Sequence, residues 1–112
     1  MSNLTIEQQN KIIGVFVGVQ SISTAHLRFH CDWGALMPVV SKIETIENGR
    51  FGFNIDPWEI QIIDYKENEN NIVCLSKEYE GGDRDKHLQQ CYFEAIIIFI
   101  NWYNRQNEQS NN

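Results

Sequence analysis

The stretch Lys86 to Tyr103, KHLQQCYFEAIIIFINWY, decides the fold. Ile96, Ile97 and Ile98 are β-branched and, taken alone, favour a strand. Length reverses that reading, because an apolar-periodic segment without Gly or Pro here far exceeds the usual strand of about 5–6 residues. Leu88, Cys91, Ala95, Phe99 and Trp102 recur at steps of three and four and line one helical face. Phe93, Ile96, Ile97, Ile100 and Tyr103 widen the stripe, so the helix is expected to be covered on more than one side. A membrane span is the weaker alternative, since Glu94 and Asn101 interrupt a run closer to the roughly 10–14 residues of a buried core helix.

Upstream, the pattern predicts two shorter helices. Thr5 and Gln8 have capping-box spacing ahead of Ile6, Ile12, Ile13, Phe16 and Val17, which gives a helix over Thr5 to Val17. Ser21 to Thr24 reads as loop. A second helix, Gly34 to Ile46, carries Leu36, Val39, Val40 and Ile43 on one face, with Asp32 as a candidate cap. Pro38 removes a backbone donor, so the regular part is expected to begin near Leu36. Glu47-Asn48-Gly49 supplies a left-handed stop.

The period then changes to two. Arg50 to Ile55, Trp58 to Tyr65 and Ile72 to Lys77 read as short strands, separated by the Asp56-Pro57 turn and the polar Lys66 to Asn71 turn. Tight connections make them an antiparallel meander. Gly81-Gly82 marks a loop, and Asp83 or Asp85 is placed to cap the final helix. The sequence thus predicts an α+β fold: two N-terminal helices, a three-stranded antiparallel meander and a long C-terminal helix packed on the sheet. Residues 1–105 form one domain and 106–112 a polar, frayed tail. Ile63 and Tyr65 fall on the parity opposite to Ile60 and Ile62, which favours a partly covered second sheet face, turned to solvent or to a second copy in a homodimer.

A chain of 112 residues suffices for one modest core. The net charge of −6 argues against general binding to nucleic-acid backbones, which needs clustered Lys and Arg, and is compatible with a basic protein partner. No secretion signal is evident at the N-terminus. The three cysteines lack framework spacing and fit reduced thiols in a cytoplasm.

Few residues could carry chemistry. His87 and Cys91 stand at i and i+4, and His30-Cys31 could complete a tetrahedral zinc set. Cys91 is also a periodic core position and no CxxC or HxxxH pair is present, so the expectation is no metal and no cofactor. Cysteine–histidine dyads lack a surrounding signature, and no Walker-type phosphate loop exists. Glu67, Glu69, Glu78, Glu80, Asp83 and Asp85 form an acidic rim, solvated by default and a docking patch for a basic protein on the sharper reading. Trp33, Trp58, Trp102 and Tyr103 lie near element ends, where large aromatics pack at a core edge or anchor an interface. With Arg84 and His87 they form the candidate binding set.

The run Trp33-Gly34-Ala35-Leu36-Met37-Pro38-Val39-Val40-Ser41-Lys42-Ile43-Glu44, together with Phe99-Ile100-Asn101-Trp102-Tyr103-Asn104, resembles a group of small uncharacterised proteins encoded by bacteriophages and prophages. Those proteins share an LMPVV-x-KIE string and a closing F-I-x-W-Y-N-like string. Where the group shows Trp-Asp-Trp before Leu-Met-Pro, this chain carries Trp33-Gly34-Ala35. The resemblance implies a phage accessory gene acting in an infected or lysogenic host, and it brings no catalytic residue. The expected function is therefore non-enzymatic binding, either occupying a host or defence protein or sequestering a small nucleotide signal. A small metal- or cysteine-dependent hydrolase and a structural virion component are the alternatives.

Overall fold

Thr5 opens the first helix, α1 (Ile6–Val17), in a reciprocal cap: its Oγ1 accepts from the Gln8 N–H at 3.1 Å while Gln8 Oε1 accepts from the Thr5 N–H at 2.8 Å. The structure, a computed structural model, describes residues 4–18, 27–56, 59–66, 70–76 and 81–110. The loop at Ser21 to Thr24, Trp58, and the acidic residues Glu67, Glu69, Glu78 and Glu80 lie outside them.

The second helix, α2, is Trp33–Thr45, with Asp32 Oδ1 accepting from the Gly34 N–H at 2.8 Å. Pro38 does not delay its start to Leu36 but sits inside the helix. The missing Pro38 N–H would have bonded the carbonyl of Gly34, an exposed residue of the first turn, so the vacancy falls on the rim of the fold and not in its core. After α2 the chain makes a single 3₁₀ turn, Ile46–Asn48, in which Glu47 adopts a left-handed conformation (φ 49°) before Gly49 (φ 81°). For glutamate this geometry costs about 1 kcal/mol, and a 3.2 Å ion pair to Arg50 holds it.

Three antiparallel strands follow in the order β1 (Phe51–Asp56), β2 (Glu59–Asp64), β3 (Asn70–Ser76). Phe51 faces Asp64 and Phe53 faces Ile62, while Ile62 faces Val73 and Ile60 faces Leu75, so these positions share the core side of the sheet. Ile63 pairs with Asn71, which leaves Ile72 as the extra residue of a bulge in β3. The last helix, α3 (Arg84–Ser110), begins two residues before Lys86 and continues past Tyr103, because nothing in the polar segment beyond breaks a helix. Asp83 is its cap: Oδ1 accepts from the backbone N–H of Asp85 at 3.0 Å and of Lys86 at 3.3 Å.

α3 lies across β2 and β3, α2 lies on β1, and α1 packs on α3 and α2. The fold is the α+β arrangement that the change of period predicts. One core joins Ile13, Leu36, Ile43, Phe51, Ile62 and the wide stripe of α3 from Cys91 to Ile100, leaving Ile98 45% exposed. No helix among the described residues is long and apolar enough to cross a membrane.

The opposite sheet face is a polar ladder. Asn54 Nδ2 donates to Gln61 Oε1 (3.2 Å), Gln61 Nε2 donates to Glu59 Oε1 (2.6 Å), and the Cys74 thiol donates to the same oxygen (3.1 Å). Tyr65 closes one end by lying over Gly52, where a methyl group would come within 2.6 Å of the tyrosine oxygen. The hydrogen bond to Glu59 raises the Cys74 thiol above its usual pKa, since removing the proton would set thiolate against carboxylate. A Glu59→Gln variant is therefore expected to alkylate several-fold faster with iodoacetamide near neutral pH. Peptide mapping reads the rate at Cys74, and an unchanged rate would mean the carboxylate does not restrain the thiol.

Candidate functional site

The candidate binding residues separate to the two ends of α3. At its start, Asp85 Oδ2 accepts the Trp33 indole N–H at 3.1 Å, and the Trp33 ring meets Tyr92 edge-on at 5.5 Å. The Gln89 amide, oriented by its partners, accepts with Oε1 from the backbone N–H of Asp32 (3.0 Å) and Trp33 (3.1 Å). Together these contacts lock the start of α2 to α3, so Trp33 works as a structural anchor. Arg84 is exposed, and His87 Nε2 lies 3.7 Å from Cys91 Sγ.

At the other end, Trp102 and Tyr103 pack against Phe51 (5.9 and 5.8 Å), and Tyr103 stacks on Phe99 at 5.6 Å. Arg50 lies over the Phe51 ring at 4.9 Å and donates through Nε and Nη2 to the two oxygens of buried Asp64, at 2.8 and 2.7 Å. That fork keeps the guanidinium more firmly protonated than a free arginine, against the opposing effect of burial. Burial, and then the Glu47 carboxylate, push the Tyr103 phenol up from its ordinary pKa. These aromatics take the core-edge role.

The metal candidates divide as well. Among the described residues no three His, Cys, Asp or Glu side chains are placed to hold one ion. His30 Nδ1 is engaged by Asn10, and Cys91 is 4% exposed, so its thiol is sheltered from a substrate in solution.

A different set of side chains forms a concave site. A cleft of about 450 Å³ opens where the start of α1, the turn at residues 28–31 and the first half of α3 meet. α1 contributes Ile6 and Gln9, and the turn contributes His30 and Cys31. From α3 come Lys86, Gln89, Gln90, Phe93 and Glu94. Their spacing on α3, with steps of four from Lys86 to Gln90 to Glu94 and of three and four from Lys86 to Gln89 to Phe93, follows from the helical repeat. Phe93 is buried and meets the edge of the His30 ring at 6.1 Å, which makes an apolar wall beneath the polar tips.

Behind His30 stands Asn10, 1% exposed. Its Nδ2 donates to the Ile6 carbonyl at 3.0 Å and lies 2.9 Å from His30 Nδ1. Reversing the amide would set Oδ1 against the Ile6 carbonyl, so Nδ2 is the atom that faces His30; Nδ1 then accepts and the imidazole carries its N–H on Nε2. Asn10 Oδ1 is left buried without a partner among the described residues, at a cost of about 1–3 kcal/mol. The protein thus keeps a destabilising polar group that fixes one imidazole tautomer at the cleft.

Of the candidates drawn from sequence, among the described residues only His30 and Cys31 line this cleft. Gln9, Asn10, Gln90 and Glu94 carry no sequence signal of a site, since polar residues on amphipathic helices read as solvated. A second groove of about 410 Å³ lies between α1 and α3, lined by Gln8, Lys11, Ile12 and Val15 on one side and Asn101 and Asn104 on the other. Comparison of the chain with protein families, with curated proteins and with solved structures finds no match.

Proposed function

We propose that this is a phage-encoded accessory protein that acts in the bacterial host by binding, with the cleft between α1, residues 28–31 and α3 as its site for a small nucleotide-type ligand. The observation that carries this reading is the cleft itself. At about 450 Å³, with an apolar wall at Phe93 and Ile6 under convergent amide and imidazole groups, it has the general form of a small-molecule site. The phage origin rests on the strings at residues 33–44 and 99–104, which lie on α2 and α3. Sequestering a signal molecule would serve an anti-defence role, and no chemical step is required of the site.

The alternative of a host protein as partner draws on the net charge of −6 and on Val15, which is 67% exposed. A hydrolase has less support, because His87 meets the buried thiol of Cys91, and the exposed Cys31 thiol meets Arg28 at 4.0 Å and no histidine among the described residues. The decisive experiment isolates the protein natively from a bacterial host, denatures it and identifies released small molecules by mass spectrometry. A nucleotide-class compound enriched over a control protein is the expected result. Proteins enriched in the same pull-down, without a compound, would favour the partner reading, and large assemblies on sedimentation would favour a virion component. If nothing is enriched, the binding reading fails.

A further inference from the structure

We infer that the cleft takes the uncharged, hydrogen-bonding edge of a planar ring, the chemistry of a purine or pyrimidine base, and leaves any phosphate of the ligand outside. The inference rests on the cleft being the binding site and adds what the site recognises.

Charge comes first. Among the described lining residues the cleft holds one ammonium, Lys86, and one carboxylate, Glu94, so it offers no excess of positive charge to a phosphate. The chain as a whole is at −6, which repels a polyanion at long range. A ligand held through its phosphates would find one ammonium offset by one carboxylate.

Hydrogen-bonding capacity points the other way. Gln9 and Gln90 each present a carbonyl acceptor beside an amide donor, the pairing that matches the adjacent donor and acceptor on a base edge. His30 adds a directional donor, because Asn10 Nδ2 at 2.9 Å from Nδ1 places the ring N–H on Nε2. Asn10 is pinned in turn by the Ile6 carbonyl at 3.0 Å. The unpartnered Oδ1 behind the ring is explained by this role: the amide is held in the one orientation that sets the tautomer, although its oxygen goes unsatisfied. Ile6, 48% exposed, supplies apolar surface for a flat ring above the buried Phe93, and the volume suits a base with its sugar.

The test is calorimetric titration of the full chain with adenosine, guanosine, cytidine and uridine and with the matching monophosphates. At least one nucleoside is expected to bind, with its monophosphate within about threefold in affinity. Gln90→Ala, at an exposed position of α3, is expected to weaken that binding about tenfold with an unchanged melting temperature, and Gln9→Ala to act in the same direction. Failure of every nucleoside to bind, a monophosphate binding more than about tenfold tighter than its nucleoside, or a Gln90→Ala variant that binds like the parent would each overturn the inference. Recovery from the host of a ligand without a base would overturn it too while leaving the binding function standing. Recovery of no ligand and no protein would remove both.

Discussion

Asp64→Ala is expected to lower the unfolding free energy by about 3–5 kcal/mol, the loss typical of removing one partner of a buried ion pair. The Asp64 carboxylate is 2% exposed and accepts from Arg50 Nε, Arg50 Nη2 and the backbone N–H of Lys66. Alanine leaves the guanidinium facing a void, with only its contact to Glu47 retained, beside Phe51 and Trp102. For a domain of this size, whose total stability is about 5–15 kcal/mol, the variant should be half unfolded at low urea or fail to accumulate. The discriminating control is the pair Arg50→Met with Asp64→Leu. Removing both charges avoids the stranded ion, so the double variant should recover at least about 2 kcal/mol over the sum of the single losses. Urea titration followed by tryptophan fluorescence gives all four values. Additive losses would mean that the two side chains contribute independently and that the fork is incidental.

Phe99→Ala is the other large effect, expected at about 3–5 kcal/mol. Phe99 is 0% exposed and forms the hub of an aromatic cluster that joins α1, β1 and α3. Its ring centroid lies 4.9 Å from Phe51, 5.6 Å from Tyr103 and 6.4 Å from Phe16. Truncation removes its own buried area and the edge-to-face and stacked pairs, each worth about 0.5–1.5 kcal/mol beyond burial. The neighbouring Ile98→Ala is the internal comparison, because that side chain is 45% exposed and should cost less than about 1 kcal/mol. Equal losses at the two positions would contradict the orientation of α3 against the sheet.

Much of this architecture is legible in the chain. The length of the Lys86 to Tyr103 run outweighs the β-branched isoleucines, and the caps at Thr5 and Asp32 can be named from residue type and spacing. Asp64 shows the boundary of such reasoning. It shares the parity of Ile60 and Ile62, so the alternation already places a carboxylate on the buried face. Its partner could not be named, because the register that sets Phe51 opposite Asp64 depends on the turn between the strands. Trp33, Trp102 and Tyr103 are partly buried against neighbours that only the tertiary fold supplies. The cleft was illegible for the opposite reason. Its amides are unremarkable one by one and acquire meaning only when α1, the turn at residues 28–31 and α3 are brought together.

The bulge at Ile72 bears on how copies of this chain behave at high concentration. β3 is an edge of the sheet among the described residues, and an edge strand offers a row of donors and acceptors on which an identical strand can template. The extra residue shifts the repeat midway along β3, so a second copy could align with one half of the row or the other but not with both. Pairing of copies through β3 is thereby disfavoured at its first step, by a single inserted residue and without any added charge.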